Sequence, residues 1–391
     1  MMDKKNPRRI FLEKSLQAGL VLPFLGAGIV SCENTATKEE PTGVKSLNIL
    51  ILGGTSFLGP HQIAYALSRG HQISTFTRGK SKPTVHQDLF EQVEQLIGDR
   101  EDDLTALENR EWDAVIDNSG RKVAWTEKTA KLLKDKVGLY LYTSSTGVYY
   151  PYLDSDIKED ASPVLQVPDD LADEETKLEY GYGVMKANSE LAAAEAFGKD
   201  RTIVVRPTYM VGPADKTNRF IHWPIRLSRG GETLVPGKTG DPVQYIDVRD
   251  VADWMIRLIE ERKAGTYNAV GPAQAQDMYT FVTEAQKAFE VESTLVQVDD
   301  YDFLKAQQVP YIIPWILPEA SNWGSARVSN TFAMDQGLTF RPLTTTLQDI
   351  HEWWNSDAIT AEQRESVEQN PKSVLMREAD ILAAWKARKE G

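Results

Sequence analysis

Apolar residues in the first half of the chain gather into short runs separated by amphipathic stretches. Asn48–Leu52, within LNILILGG, is almost wholly apolar, the pattern of a strand covered on both faces. Gln72–Thr77, Val93–Ile97, Asp113–Asp117, Gly138–Thr143 and Thr202–Val205 repeat it in more mixed form. Most stop at a turn-forming group such as Thr-Arg-Gly-Lys, Gly-Asp-Arg, Asn-Ser-Gly or Ser-Ser-Thr. Between them the period lengthens to that of a helix, over Pro60–Arg69 with Gly70 as its stop and over Glu127–Lys136. Strands alternating with helices at this pace predict an α/β fold built on a doubly wound parallel sheet.

After Arg206-Pro207 the rhythm changes. Thr208–Gly240 is rich in Gly and Pro. Val243–Ile246 and Tyr267–Val270 read as short strands around a helix over Val251–Arg262. The remainder, with Trp315, Trp323, Trp353 and Trp354, reads as mixed elements over one end of the sheet. The charged, helix-prone tail Ala361–Lys389 is expected to pack on the outside. A sheet domain over 47–206 and a smaller C-terminal part over 207–391 follow, with 243–270 completing the sheet domain's core.

The start of the chain has a different character. Lys4, Lys5, Arg8 and Arg9 precede Ser15–Val30, which is uncharged, largely apolar and short for a membrane span. Arg8-Arg9-Ile10-Phe11-Leu12 resembles a twin-arginine export signal, and Ile29-Val30-Ser31-Cys32 is similar to a bacterial lipobox. The resemblance implies a signal over 1–31, acylation of Cys32 and export to the periplasmic side of a bacterial membrane. The polar stretch 32–46 suits a flexible tether, so the only membrane contact expected is the lipid anchor.

With 391 residues there is ample chain for a core, and a formal net charge of -13 argues against a nucleic-acid partner. The single cysteine excludes an intramolecular disulfide, and the five histidines lack ligand-like spacing. No metal site is read.

Chemistry concentrates at three places. The run LNILILGGTSFLG puts a glycine turn between a strand and a helix, where backbone N–H groups and a helix N-terminus can meet a pyrophosphate. Its spacing G-x-x-G-x-x-G carries Ser56 at the middle glycine position. Tyr182 and Lys186 in EYGYGVMKAN lie four apart, on one helix face, and an ammonium beside a phenol favours the phenolate. Ser145, ending the fifth strand, offers a hydroxyl to position the same substrate oxygen. Beyond the second strand Arg78 and Lys80 stand where an acidic residue would mark NAD, which leans the reading towards NADP.

Taken in order, GGTSFLG, GDR, YTSSTGVY, YGVMK, RPTYMVGP and QYIDVRDVA resemble the extended short-chain dehydrogenase/reductase family, in its NAD-dependent epimerase/dehydratase branch. The likeness runs from Leu47 to Trp354 and implies a Rossmann-like fold with a substrate-binding C-terminal part. It implies Tyr182 as acid/base, Lys186 as ribose holder and tuner of Tyr182, and Ser145 as substrate-orienting hydroxyl. Gly53, Ser56 and Gly59 would line the pyrophosphate, Asp99 would touch adenine, and Asn118 or Ser119 would border the nicotinamide ribose. The cofactor set also takes in Thr55, Phe57, Leu58, Arg78, Arg100 and Pro207. Thr208, Tyr209, Arg219 and His222 fall in the substrate segment. Dehydratases of the branch follow the serine with Asp-Glu; here Thr146-Gly147 stands instead, against dehydration.

The expected activity is oxidoreduction or epimerisation at a sugar or glycoside hydroxyl, with tightly held NAD or NADP recycled in place. An external electron acceptor is a second enzymatic reading. A catalytically idle binding protein is the rival, because the GGTxFLG pattern also resembles plastid stem-loop RNA-binding relatives of the family.

Overall fold

The computed structural model describes residues 45–118, 120–171, 173–319 and 322–390. The expected signal over 1–31, most of the tether, Cys32 and Ser119 lie outside the described residues.

Seven parallel strands form the central sheet: β1 (Asn48–Leu52), β2 (Gln72–Thr77), β3 (Glu94–Ile97), β4 (Trp112–Asp117), β5 (Val137–Thr143), β6 (Thr202–Pro207) and β7 (Gly265–Ala269). Their spatial order is β3-β2-β1-β4-β5-β6-β7. Leu50 pairs with Ser74 of β2 on one side and Val115 of β4 on the other. The order reverses between β1 and β4, and the crevice outside the carboxyl ends at such a switch point is where ligands bind in open α/β sheets.

Alternation along β1 explains the layers. Ile49 and Ile51 face a core shared with Ile63 of α1 (Leu58–Ser68) and Val251, Met255 and Leu258 of α4 (Val248–Glu260). Leu50 and Leu52 face the opposite core, with Ala130 and Leu133 of α2 (Val123–Leu133) and Ala193 and Phe197 of α3 (Glu174–Phe197). All four β1 side chains are fully buried, which is why that run has no polar alternation.

Two sequence expectations change. Val243–Ile246 does not form one strand. Pro242–Val243 pairs antiparallel with Gln276–Asp277, and Ile246–Asp247 pairs parallel with Met210–Val211. Between them the Gln244 side chain is drawn to both backbone groups of Val328, and Tyr245 N–H turns to the Gly271 carbonyl. Completion of the main sheet falls to α4 and β7 alone.

The tail is not an external helix either. It divides into α6 (Ala361–Glu368) and α7 (Val374–Glu390), after α5 (Leu343–Asn355). Glu378, Ile381, Leu382 and Trp385 are buried, one stripe of α7 with helical spacing. Glu378 pairs with the buried Arg226 and accepts from Leu234 N–H at 2.8 Å. This stripe closes a C-terminal core containing Trp223, Phe281, Trp315 and Trp354, next to the parallel pair Gly231–Pro236 and Ser293–Val298.

Candidate active site

The glycine turn at the end of β1 sits at the switch point. Gly53 and Gly54 have φ of 103° and 108°, a region that side chains disfavour. A Cβ on Gly59 would lie 2.6 Å from the Gly54 carbonyl oxygen, so the first turn of α1 rests directly on the glycine backbone. Thr55 and Phe57 are partly exposed, Ser56 is exposed and Leu58 is buried. The N-terminus of α1 has neither a side-chain cap nor an acidic residue in its first turn. The glycine turn's backbone, the helix dipole and a cradle that a Cβ would fill fit a dinucleotide pyrophosphate.

Arg78 and Lys80 are exposed beyond β2, as a 2′-phosphate contact would need. Asp99 holds its own turn: Oδ1 accepts from Glu101 N–H at 3.0 Å. Arg100 departs from expectation. It is buried, its Nη2 lies 2.8 Å from Asp117 Oδ2 and 2.7 Å from Thr129 Oγ1, and it also donates to the Trp125 carbonyl. Its guanidinium therefore braces the ends of β4 and α2 instead of facing the groove. Tyr140 Oη donates to the same carboxylate at 2.7 Å. Burial alone would raise the Asp117 carboxyl, but the Arg100 charge and the hydrogen bonds outweigh it and hold it below the usual range.

Asn118 is fixed at both ends, with Nδ2 donating to Gln62 at 2.6 Å and Oδ1 accepting from Thr143 Oγ1 at 2.8 Å. Pro207 is buried at the end of β6, opposite Ala269.

Lys186, on α3, is 8% exposed and donates from Nζ to the Thr143 carbonyl at 2.8 Å. Burial pushes its ammonium down to about 8, against the upward pull of Asp117 and Glu190. An ammonium has three donors, so two remain for a ligand. Ser145 follows two residues after Thr143, and its Oγ accepts from Gly147 N–H at 3.0 Å, leaving the hydroxyl proton to be given elsewhere. Tyr182 is 45% exposed, and its ring lies against Gly147, where a Cβ would sit 2.9 Å from Cε1. The backbone of α3 at Gly183 comes so close to the Gly147 carbonyl that no Cβ fits. Ser145, Tyr182 and Lys186 are thus gathered around one short turn. A side chain at 147 would have to displace the Tyr182 ring.

Of the substrate expectations, Thr208 continues β6 by donating to the Ala269 carbonyl at 3.3 Å. Tyr209 lines a cleft with Gln244, Trp323 and Arg327. Arg219 is exposed, with its guanidinium 5.7 Å from the Tyr209 ring. Tyr152 is partly buried, its phenol raised chiefly by burial, with Tyr209, Thr146 and Tyr182 in its vicinity. His222 goes elsewhere. Its ring stands edge-on to Trp223 at 4.8 Å, and burial, aided by Arg226 and Arg229, pushes it down to about 3. It belongs to the C-terminal core.

Sequence reading missed Arg327, which lies 3.6 Å over the Trp323 ring. A lone arginine in a loop carries no spacing signal. It also missed Glu190, although a carboxylate one turn beyond Lys186 was a visible sign. Among the described residues no group of three or more His, Cys, Asp or Glu is arranged to hold a metal. No helix among them is long and apolar enough to cross a membrane.

Sheet order, switch-point glycines and the surrounding helices define a Rossmann-like dinucleotide fold. The chain belongs to the NAD dependent epimerase/dehydratase family, whose sequence pattern matches residues 49–270. Among solved structures it is similar to UDP-N-acetylglucosamine 4-epimerase of Bacillus cereus, at 17% identity and TM-score 0.57, covering 80% of this chain and 100% of that one. It is also similar to dTDP-glucose 4,6-dehydratase of Bacillus anthracis, solved with NAD, at 14% identity and TM-score 0.56, covering 80% and 99%. WbmH of Bordetella bronchiseptica, solved with NAD+, gives 14% identity and TM-score 0.55, covering 81% and 100%. By sequence the chain is 30% identical over 232 residues to an Arabidopsis thaliana protein, the chloroplast stem-loop binding protein of 41 kDa b. That match covers 55% of this chain and 56% of its relative's length.

Proposed function

We propose that this protein is an NAD(P)-dependent oxidoreductase or epimerase acting on a hydroxyl of a sugar, with a tightly held cofactor recycled in place. The observation that carries the reading is Lys186, buried beside Thr143 with donors to spare, on the helix that presents Tyr182 next to Ser145. Gly53, Gly59 and the α1 N-terminus would hold the pyrophosphate, Asn118 and Lys186 the nicotinamide ribose. Arg78 and Lys80 support NADP, whereas several structural neighbours were solved with NAD. Bound there, the nicotinamide would accept a hydride from a sugar carbon and return it. Ser145 would orient the substrate hydroxyl, Tyr182 would take its proton, and Lys186 would hold the ribose and place its charge beside the proton path.

Arg219 and Arg327 flank the Tyr209 cleft, each lying over an aromatic ring, and neither has a carboxylate within salt-bridge distance among the described residues. Two such cations support a substrate bearing negative charge, as in the nucleotide-sugar enzymes among the neighbours. Export and acylation at Cys32 rest on the sequence motifs. Radiolabelled palmitate on the full chain, absent from Cys32→Ser, is the outcome that supports them.

The deciding experiment is mass spectrometry of the supernatant from denatured, natively purified protein. Stoichiometric NAD or NADP supports the held cofactor and chooses between the two; none turns the reading towards external cofactor. RNA binding is favoured by the stem-loop-binding relative and opposed by the acidic charge. An RNA shift that weakens steeply with salt would establish it.

A further inference from the structure

We propose that Arg206 is a positioning residue for Lys186: by engaging both oxygens of Glu190, it keeps that carboxylate from drawing the ammonium off the Thr143 carbonyl. This rests on the reading of Lys186 as the lysine that faces the cofactor.

Lys186 and Glu190 are four residues apart on α3 and share a face. On an exposed helix such a pair closes on itself. Here it does not. Lys186 Nζ donates to Thr143, while Glu190 accepts from Arg206 Nε at 2.9 Å and Nη2 at 2.6 Å. The Ser144 hydroxyl also donates to Glu190, from the peptide next to Thr143. All three ionic groups are buried, where an unpaired carboxylate would seek the nearest cation.

Arg206 is fixed on its far side as well. Its Nη1 donates to Tyr149 Oη at 2.7 Å and to the Glu159 carbonyl at 3.2 Å. Tyr149 in turn donates to Asn268 Oδ1 at 2.8 Å, and Asn268 N–H donates to Glu159 Oε1 at 2.9 Å. A fork clamped from β6 to β7 cannot follow Glu190 if that side chain swings.

Four charged groups face Lys186: Glu190 on its own helix, Asp117 ending β4, Arg100 after β3 and Arg121 after β4. Asp117 is already neutralised by Arg100. Glu190 is therefore the carboxylate whose partner decides where the ammonium points.

The test is an NMR titration of the full-length protein carrying labelled lysine, with Lys186 assigned by loss of its signal in Lys186→Arg. NADH affinity is measured alongside by fluorescence. Wild type should titrate near 8. Arg206→Gln should raise that midpoint by about one unit or more, as a closing opposite charge does, and weaken NADH about tenfold. Arg206→Gln/Glu190→Gln should return both readings to wild type, and Arg206→Lys should stay close to it.

An unshifted lysine in folded Arg206→Gln overturns the proposal. So does a shift that the double variant leaves in place, since lost packing would then be the cause. Should Arg206→Gln fail to fold, Glu190→Gln decides. NADH affinity within threefold of wild type at pH 6.5, where Lys186 is charged, agrees with a carboxylate that Arg206 merely restrains, and any larger loss overturns the proposal. If wild type binds no NADH, the cofactor reading fails, and the lysine titration still settles the role of Arg206.

Discussion

The single side chains that matter most are held by backbone, not by one another. Lys186 leans on the Thr143 carbonyl, Ser145 on the Gly147 N–H, and the Tyr182 ring on Gly147 itself. Tyr182→Phe should therefore fold and load cofactor normally while losing about 10²–10⁴ in turnover, checked by parallel mass spectrometry and a sugar-oxidation assay. Dinucleotide affinity should fall as pH rises through about 8, because Lys186 sheds its proton there. A fluorescence titration across pH 6.5–9.5 reads this directly, and Lys186→Met should remove the dependence. The clustering of Ser145, Tyr182 and Lys186 was legible because Tyr-x-x-x-Lys and a serine after the fifth strand are spacings that the fold must honour. Arg100 was misassigned for a physical reason: a GDR turn shows where the arginine starts but not that Asp117, seventeen positions later, captures its guanidinium. His222 misled likewise, since the sequence shows Trp223 beside it but not that folding buries its ring edge-on to that indole.

Among the elements, α3 and α7 do the most with the least local signal. α3 approaches the turn after Ser145 through Gly183, whose Cβ position is filled by the Gly147 carbonyl. Gly183→Ala should cost about 1–3 kcal/mol by overpacking, seen as a lowered thermal midpoint, and should also displace Tyr182. α7 reads as a solvated helix because charges surround its stripe and the stripe itself begins with a glutamate. Only tertiary structure supplies Arg226, which makes Glu378 a buried residue. Trp385→Ala, removing a ring packed 5.0 Å from Phe303, should destabilise by about 3–5 kcal/mol in urea unfolding. The strands were the most legible elements, since β1 must be apolar on both faces to separate two helical layers. The split of Val243–Ile246 was not legible: it depends on Gln244 reaching a loop more than eighty residues away.

For the whole molecule, buried histidines set the acid limit. Unfolded imidazole takes its proton near 6.5, whereas His61, whose Nε2 donates to the Pro213 carbonyl and whose Nδ1 shares a hydrogen bond with His86 Nε2, takes it only near 4 because of burial. Protons therefore favour the unfolded chain across that window, and stability present above 6.5 is lost as pH falls towards 4. Urea midpoints should drop over this range by an amount worth roughly 3 kcal/mol, and His61→Asn should flatten the curve. The sheet has a further consequence for how the protein is made. Its last strand comes from Gly265–Ala269, with the whole 208–264 stretch synthesised between β6 and it. During synthesis β6 waits as a naked, apolar edge, open to pairing with any other extended chain. A ribosome stalled before residue 265 would carry an aggregation-prone nascent protein, and release of β7 is the moment at which that danger ends.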